Sequence, residues 1–400
     1  MKTALRLCIP LIIFAQTAST PLLRADDWPH WRGPTYNGVS AESGFKKAWD
    51  AKPKKLWQQK IGSAFSGISV VGDRLYTCGI DNEKQALFCL DTADGRIVWK
   101  SEIEDNYKSE WGDGARATPT VAGEQVFIMG ANGTVGCFKA ADGSKVWSRS
   151  FENRPMWGYS SSVLVAGDLA IVVTGGKSGA IKALERDSGR EVWHCGDDDS
   201  PGYSSPYPFT FNGKNYVCGF LGKMAIVADI KTGREVLRIP WKTDWNVNAA
   251  TPIYHDGHLW LGSGYHTGCG LFKLSEEGDR LAAKEVWKSK VMLNKFQTPV
   301  LCDGKLIGFD EKSLSCVDFM TGERHWRERG ANGTVLLADR TIIALSEDGL
   351  LRVAPPSTSE FKPSGEAQIL KGRCWTVPTL SGGRLFARNL NRIVCYDLSK

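Results

Sequence analysis

Six short segments carry the residue types from which a ligand site is made: Gly114-Ala-Arg116-Ala-Thr118-Pro119, Trp157-Gly-Tyr159-Ser-Ser-Ser162, Gly202-Tyr203-Ser-Ser205-Pro206, Asn246-Val-Asn248-Ala-Ala-Thr251-Pro252, Lys295-Phe296-Gln297-Thr298-Pro299 and Arg373-Cys-Trp375-Thr376. They mix small hydroxyl residues with aromatics and a few cations, a combination that stacks flat groups and meets negative charge. The candidates for such a site are Arg116, Arg154, Trp157, Tyr159, Tyr203, Asn248, Lys295, Gln297, Arg373 and Trp375, with Asp113 and Asp244 as the carboxylates available as a base if the site catalyses. The plainer reading of the Ser and Thr residues is that they form turns leading into strands.

Other chemistry is sparsely represented. Of the six histidines, His255 and His258 flank Asp256-Gly257 and read as a polar turn; His266 and Cys269 would join them as ligands only if the fold brought all four together, so no metal site is expected. There is no GxSxG elbow, no Walker loop and no HExxH helix.

The elements that must position these segments are repeated. Trp57, Trp99, Trp147, Trp193, Trp241, Trp287 and Trp326 are separated by 42, 48, 46, 48, 46 and 39 residues, the period of a propeller blade. Most of them end one phrase, a polar turn with Gly followed by a few residues and Trp, as in Asp91-Thr-Ala-Asp-Gly95 before Trp99 and Asp187-Ser-Gly189 before Trp193. Gly72, Gly123, Gly167, Gly213, Gly257, Gly304 and Gly383 each split two short apolar runs, which marks hairpins, and the period accommodates four strands.

The last two units are degenerate. Thr334 to Leu337, Thr341 to Leu345 and Leu350 to Val353 supply three strands of the seventh, with Gln368 to Leu370 as its fourth. The eighth ends at Ile393-Val-Cys-Tyr396 without a tryptophan strand, and Lys55-Leu56-Trp57 supplies it from the other end of the chain. The expectation is therefore an all-β, eight-bladed propeller of four-stranded antiparallel blades, with tryptophan contacts between blades and closure by strands from both termini; seven blades is the alternative count. Trp28, Trp31, Trp49, Trp111, Trp157, Trp245, Trp260 and Trp375 fall outside the repeat, and aromatic chemistry is expected from that set. In an innermost-strand ring, the six segments above crowd one mouth of the channel.

Eleven cysteines suggest a disulfide framework, but register argues otherwise. Cys89, Cys137, Cys316 and Cys395 share a repeat position that also holds Ala183 and Val227, and Cys78 and Cys218 align with Met129 and Thr174, so these are apolar packing slots. A disulfide among Cys195, Cys269, Cys302 and Cys374, outside both registers, stays open.

At the front, Lys2 and Arg6 precede the apolar run from Leu7 to Ala15, the layout of a secretory signal peptide, read here as residues 1–25 and followed by a leader of residues 26–54 and the propeller over 55–400. Cleavage after Ala18 is the other option. The expected location is periplasmic or secreted, with no spanning segment after processing. With 42% apolar and 24% charged residues the chain is globular, and its net charge of +6, half of it in Lys2, Arg6 and Arg24, gives no support to a nucleic-acid partner.

The phrases Leu90-Asp-Thr-Ala-Asp-Gly95-Arg-Ile-Val-Trp99 and Ala183-Leu-Glu-Arg-Asp-Ser-Gly189-Arg-Glu-Val-Trp193 resemble the repeat of quinoprotein-type propellers, and Asp27-Trp28-Pro29-His30-Trp31-Arg32-Gly33-Pro34 resembles the opening of exported PQQ-like repeat proteins. The resemblance covers Lys55 to the C-terminus and implies the eight-bladed fold. It implies no single function, because such propellers serve both BamB-type assembly scaffolds and pyrroloquinoline quinone (PQQ) alcohol dehydrogenases. The dehydrogenases carry an adjacent Cys-Cys pair and a Glu/Asn/Asp set for Ca²⁺. This chain has no Cys-Cys pair, and Arg116, Asp244, Asn248 and Trp375 are its nearest physical substitutes for quinone, metal and stacking contacts. A lipid-attachment cysteine after the signal, as in the scaffold, is also missing. The leading expectation is a non-catalytic exported binding scaffold without a cofactor, recognising a protein or cell-envelope ligand. The alternative is a dehydrogenase of alcohols or sugars with PQQ and Ca²⁺ at the channel mouth.

Overall fold

Short apolar runs separated by Gly and Asp pair with their sequence neighbours, so each sheet is built from local hairpins. The computed structural model, which describes residues 27–330 and 332–400, contains eight sheets arranged as the blades of a propeller; the expected signal peptide, residues 1–25, lies outside the described residues. Blade one runs Ser69–Val71, Arg74–Asp81, Lys84–Asp91 and Ile97–Asp105, all antiparallel, with Cys78 opposite Leu87 and Cys89 opposite Trp99. Its two middle strands are buried on both faces, while the outermost strand is half exposed. The innermost strands of the other blades, Thr120–Ala122, Leu164–Ala166, Tyr207–Phe211, Ile253–His255, Val300–Cys302, Gly333–Ala338 and Thr379–Ser381, complete the ring about the axis. The count is eight, and the seven-blade alternative falls.

The repeated tryptophans join blade to blade. Trp57 Nε1 donates to Thr92 O at 2.9 Å, Trp99 to Ala140 O at 3.0 Å, Trp147 to Arg186 O at 2.8 Å, Trp193 to Ile230 O at 3.0 Å, Trp287 to Phe319 O at 3.0 Å and Trp326 to Ser357 O at 2.8 Å, each acceptor lying in the following blade. Trp241 differs and donates to Ser263 Oγ at 3.1 Å, because blade five replaces the polar turn with the long hairpin of Gly268–Glu277 and Arg280–Ser289. The outermost strand skips one residue of register just before the tryptophan, as between Lys145 and Trp147. The bulged residue then faces outward. This accounts for most of the large exposed aliphatics: Leu56, Val146, Val192 and Val286 each immediately precede a repeat tryptophan.

Blade eight consists of Thr379–Ser381, Arg384–Arg388, Arg392–Asp397 and Lys54–Lys60, so strands from the two ends of the chain close the ring, Trp57 opposite Cys395. Blade seven has Gly365–Gln368 as its fourth strand, earlier than the expected Gln368 to Leu370. Ile369 and Leu370 instead bury between blades seven and eight, where Ile369 O accepts the Tyr396 hydroxyl at 3.1 Å. That blade lacks a tryptophan of its own. Trp49 from the leader lies against Gly365, where a Cβ would sit 2.6 Å from its ring.

The leader crosses the channel rather than lying beside it. Trp28 exchanges hydrogen bonds with Val70 of blade one at 2.7 and 2.8 Å, and Pro29 O accepts from Val121 of blade two. Trp31 Nε1 donates to Thr251 Oγ1 ahead of blade five at 2.8 Å, and the buried Arg32 donates to Thr298 O and Pro299 O ahead of blade six at 3.3 and 2.9 Å. Val39–Ser40 then pairs in parallel with Gly333–Ala338 as a fifth strand of blade seven. The result is a stopper seated in one end of the channel.

Cys195, Cys269, Cys302 and Cys374, the cysteines for which a disulfide stayed open, are buried free thiols, as are the other described cysteines. Burial pushes Cys195, Cys269 and Cys374 up to about 12, which keeps them protonated and inert.

Gly189 has φ +70° and lies under Trp147, where a Cβ would be 2.6 Å from the ring, whereas Gly213 has φ +74° and open space around it. Gly213→Ala is expected to cost about 1 kcal/mol through backbone strain alone, and Gly189→Ala roughly 2–3 kcal/mol, read as urea midpoints. In the stopper, His30 stacks on Tyr36 with centroids 3.9 Å apart, and burial pulls its pKa from 6.5 down to about 4. The unfolded chain therefore binds the extra proton between those values, so stability is full above 6.5 and falls towards 4, at up to about 1.4 kcal/mol per pH unit. His30→Phe is expected to flatten that part of the stability–pH curve.

Candidate functional site

Loops entering the innermost strands gather at the channel mouth opposite the stopper, and there they enclose a well of about 260 Å³. Arg116, Trp157, Tyr203, Lys295 and Trp375, five of the expected residues, line it. Arg373 lies at its edge, its guanidinium 4.7 Å from the Trp375 ring and 5.5 Å from the Trp111 ring, and it donates to Trp111 O. Trp375 forms the centre of the aromatic wall. Phe65 stacks on it at 5.1 Å with 17° between planes, Phe296 approaches at 4.9 Å and Trp111 at 6.2 Å. Across the well, Trp157 and Tyr203 lie 6.0 Å apart.

No described carboxylate pairs directly with the cations, although the nearby Asp113 charge acts on Arg116. Arg116 Nε donates to Trp157 O at 2.8 Å, and its terminal nitrogens to Gly112 O at 3.0 Å and to Gly114 O. Its guanidinium lies 4.3 Å from the Tyr107 ring and 5.6 Å from Phe65. Burial lowers its pKa to about 10, so the charge persists at neutral pH. Lys295 Nζ sits 5.3 Å from the Tyr265 ring and 5.8 Å from Phe296. No Asp, Glu or His lines the well.

The remaining expected residues lie elsewhere. Tyr159 is in the core between blades two and three and donates its hydroxyl to Thr174 O at 2.9 Å. Asn248 is fully buried, donating to Leu221 O, Gly222 O and Trp241 O and accepting Ser263 Oγ at 2.7 Å, which ties blade four to blade five. Gln297 is buried behind the wall. Arg154 is exposed and pairs with Asn132 Oδ1 at 2.8 Å. Asp113 accepts from Ser109 N at 2.9 Å and Asn106 Nδ2 at 3.2 Å and braces its loop, and Asp244 is exposed beside Trp245.

The strand-entry hydroxyls also have a structural role, though one across blades rather than within turns. Thr118 N donates to Ser162 Oγ, Ser162 N to Ser205 Oγ and Thr251 N to Thr298 Oγ1, all at 2.9 Å, forming a girdle round the mouth. Phe65, Tyr265 and the part played by Trp31 were not singled out from sequence. Phe65 occupies blade one's entry segment and alignment with the other segments would have found it. Tyr265 lies in a hairpin loop peculiar to blade five, with φ 52°.

A family model described as "Outer membrane protein assembly factor BamB" matches residues 47–268, more than half of the chain. The chain belongs to this BamB family. Two solved structures show the breadth of proteins that share its fold. BamB from Moraxella catarrhalis aligns with a TM-score of 0.61 at 16% identity, over 87% of this chain and 98% of that one. The quinohemoprotein alcohol dehydrogenase from Comamonas testosteroni aligns with a TM-score of 0.67 at 12% identity, over 94% and 81%. No curated protein matches the sequence.

The dehydrogenase likeness allows a test of fit for Ca²⁺-bound quinone in this BamB-family well. Calcium takes six to eight oxygen ligands, chiefly carboxylates. The wall offers no carboxylate, Asn248 is committed to a blade seam, and no group of three or more His, Cys, Asp or Glu side chains converges among the described residues. These residues do not fit a Ca²⁺–quinone pair.

The two kinds of expected residue separate under mutation. Asn248→Ala would leave three buried carbonyls without their donor and is expected to cost about 2–3 kcal/mol in denaturant unfolding. Trp375→Ala, at a partly exposed wall, is expected to cost less and to leave the far-ultraviolet spectrum unchanged.

Proposed function

We propose that this protein is an exported, non-catalytic binding propeller that works through the mouth of its channel. The observation that carries the reading is the composition of the well: aromatic walls and cations converge there, no carboxylate or imidazole is among the lining side chains, and the neighbouring Glu347 carboxylate accepts the Trp375 indole N–H at 3.0 Å. Among the lining hydroxyls, Ser160 Oγ is already donated to Tyr203 O at 2.8 Å, and Asp113, the carboxylate beside Ser109, is engaged by Ser109 N and Asn106 Nδ2. Membership of the BamB family supports a scaffold role. Export rests on the basic and apolar opening of the sequence, and no helix among the described residues is long and apolar enough to cross a membrane.

The rim favours a partner larger than the well. Trp111, Met156 and Trp245 are 44%, 65% and 66% exposed, and each is in the wall or within two residues of a wall residue. Exposed large apolar groups beside a cavity are a usual mark of an interaction surface. A protein or envelope ligand that places one group in the well has its second foothold here.

Calorimetric titration of the mature protein with PQQ and Ca²⁺, beside a dye-reduction assay with a panel of alcohols and sugars, tests this. The expected outcome is no alcohol- or sugar-dependent dye reduction and no effect of Ca²⁺ on any quinone binding. Ca²⁺-dependent saturable binding with turnover overturns the reading.

A further inference from the structure

We infer that the well is built for a small, flat organic anion held without a metal ion, and that Trp31, from the segment ahead of the blades, sets how deeply the anion enters. The inference rests on the binding reading above and names the ligand class of that same site.

Charge argues for the anion. Arg116 has five N–H donors, and its three hydrogen bonds go to backbone carbonyls, which carry no net charge; the nearby Asp113 carboxylate offsets part of its positive charge without pairing with it. Lys295 makes no hydrogen bond or ion pair among the described residues, and Arg373 makes only the bond to Trp111 O. Three cations thus face one aromatic enclosure, with no carboxylate among the described residues within 4.0 Å of any of them. In surroundings of low polarity such charges attract an anion far more strongly than in water.

Shape argues for a flat body. Aromatic rings make up much of the lining, with Phe65 stacked nearly parallel on Trp375, and the well is slightly smaller than the ~300 Å³ at which ligand pockets usually begin. A sugar would need several free hydrogen-bonding groups. Of the seven lining hydroxyls, Ser160 donates to Tyr203 O and Thr376 to Phe65 O, while Ser205, Ser109 and Tyr203 accept from Ser162 N, Trp111 N and Trp157 N, and no carboxylate or amide side chain joins them in the lining.

The floor comes from outside the repeat. Beneath the well lies a second, much smaller void bounded by Trp28, Arg32, Ile68 and Val335, and only Trp31 and Thr118 border both. Trp31 is pinned by its indole N–H to Thr251 Oγ1, so its ring is a fixed partition.

The test is calorimetry of the mature protein with 2-naphthoate, its neutral isostere 2-naphthamide, and the longer p-terphenyl-4-carboxylate. Wild type is expected to bind naphthoate at least tenfold more tightly than the amide, unchanged by EDTA. Arg116→Gln is expected to lose that preference while amide binding stays the same, and Trp31→Ala to gain at least tenfold for the terphenyl acid relative to naphthoate. Should Trp31→Ala not fold, Trp31→Leu keeps an apolar floor and carries the same comparison. Equal binding of acid and amide, or binding of neither, overturns the ligand class; an unchanged length preference in the Trp31 variants overturns the partition. Alcohol-dependent turnover in the dye assay would instead overturn the binding reading, so the two failures are read separately.

Discussion

Lys54–Lys60 and its hydrogen-bonding partner Arg392–Asp397 come from opposite ends of the chain, yet they are adjacent strands of one blade. Every blade is wedged between two others, so the position of each entry loop depends on this one pairing being made. The seam it creates is reinforced by Arg388, a fully buried cation that donates to Ser66 O, Thr77 Oγ1 and Cys78 O of blade one as well as to Asn389 O and Leu390 O of its own blade. Without closure, two sheet edges would be exposed and the mouth would have a gap between Trp375 and Phe65, the two rings that stack across that seam.

Three buried or half-buried arginines show how the same side chain takes different roles. Arg388 and Arg32 have every guanidinium nitrogen engaged by backbone or hydroxyl oxygens, and burial lowers both pKa values to about 10. They satisfy carbonyls that the blade seams leave over, and breaking them would leave those carbonyls unpaired in the interior. Arg116 has similar carbonyl partners but stands at a cavity wall, with aromatic rings on its faces. Its charge, offset in part by nearby Asp113, therefore stands at the lining of a cavity rather than inside a seam.

The blades were legible because their signal is redundant. Trp57 could be assigned to a missing strand of the last blade only because six other tryptophans defined what was missing, and the structure places it there. The edge of blade seven was less legible, since Trp49 reaches it from the leader and no local period announces that. At the mouth, sequence register identified the loops but not the direction of each side chain. Tyr159 and Asn248 have the right chemistry at the right position, yet they turn into blade seams where Thr174 O and Leu221 O need donors. Trp111, Trp157 and Trp375 stay in the wall, and being outside the repeat was their shared signal. Trp31 had the same signal, but its place depends on the leader doubling across the channel, a path that no residue pattern encodes locally.

The origin of the floor has a consequence for how such proteins diversify. A wall residue belongs to a blade, and altering it disturbs a seam shared with a neighbour. Trp31 belongs to a segment laid across the blades, anchored on either side by Trp28 and Arg32. Capacity and architecture are therefore inherited separately: a single exchange in the stopper can lengthen or shorten the chamber while the annulus above it goes on being assembled from the same parts.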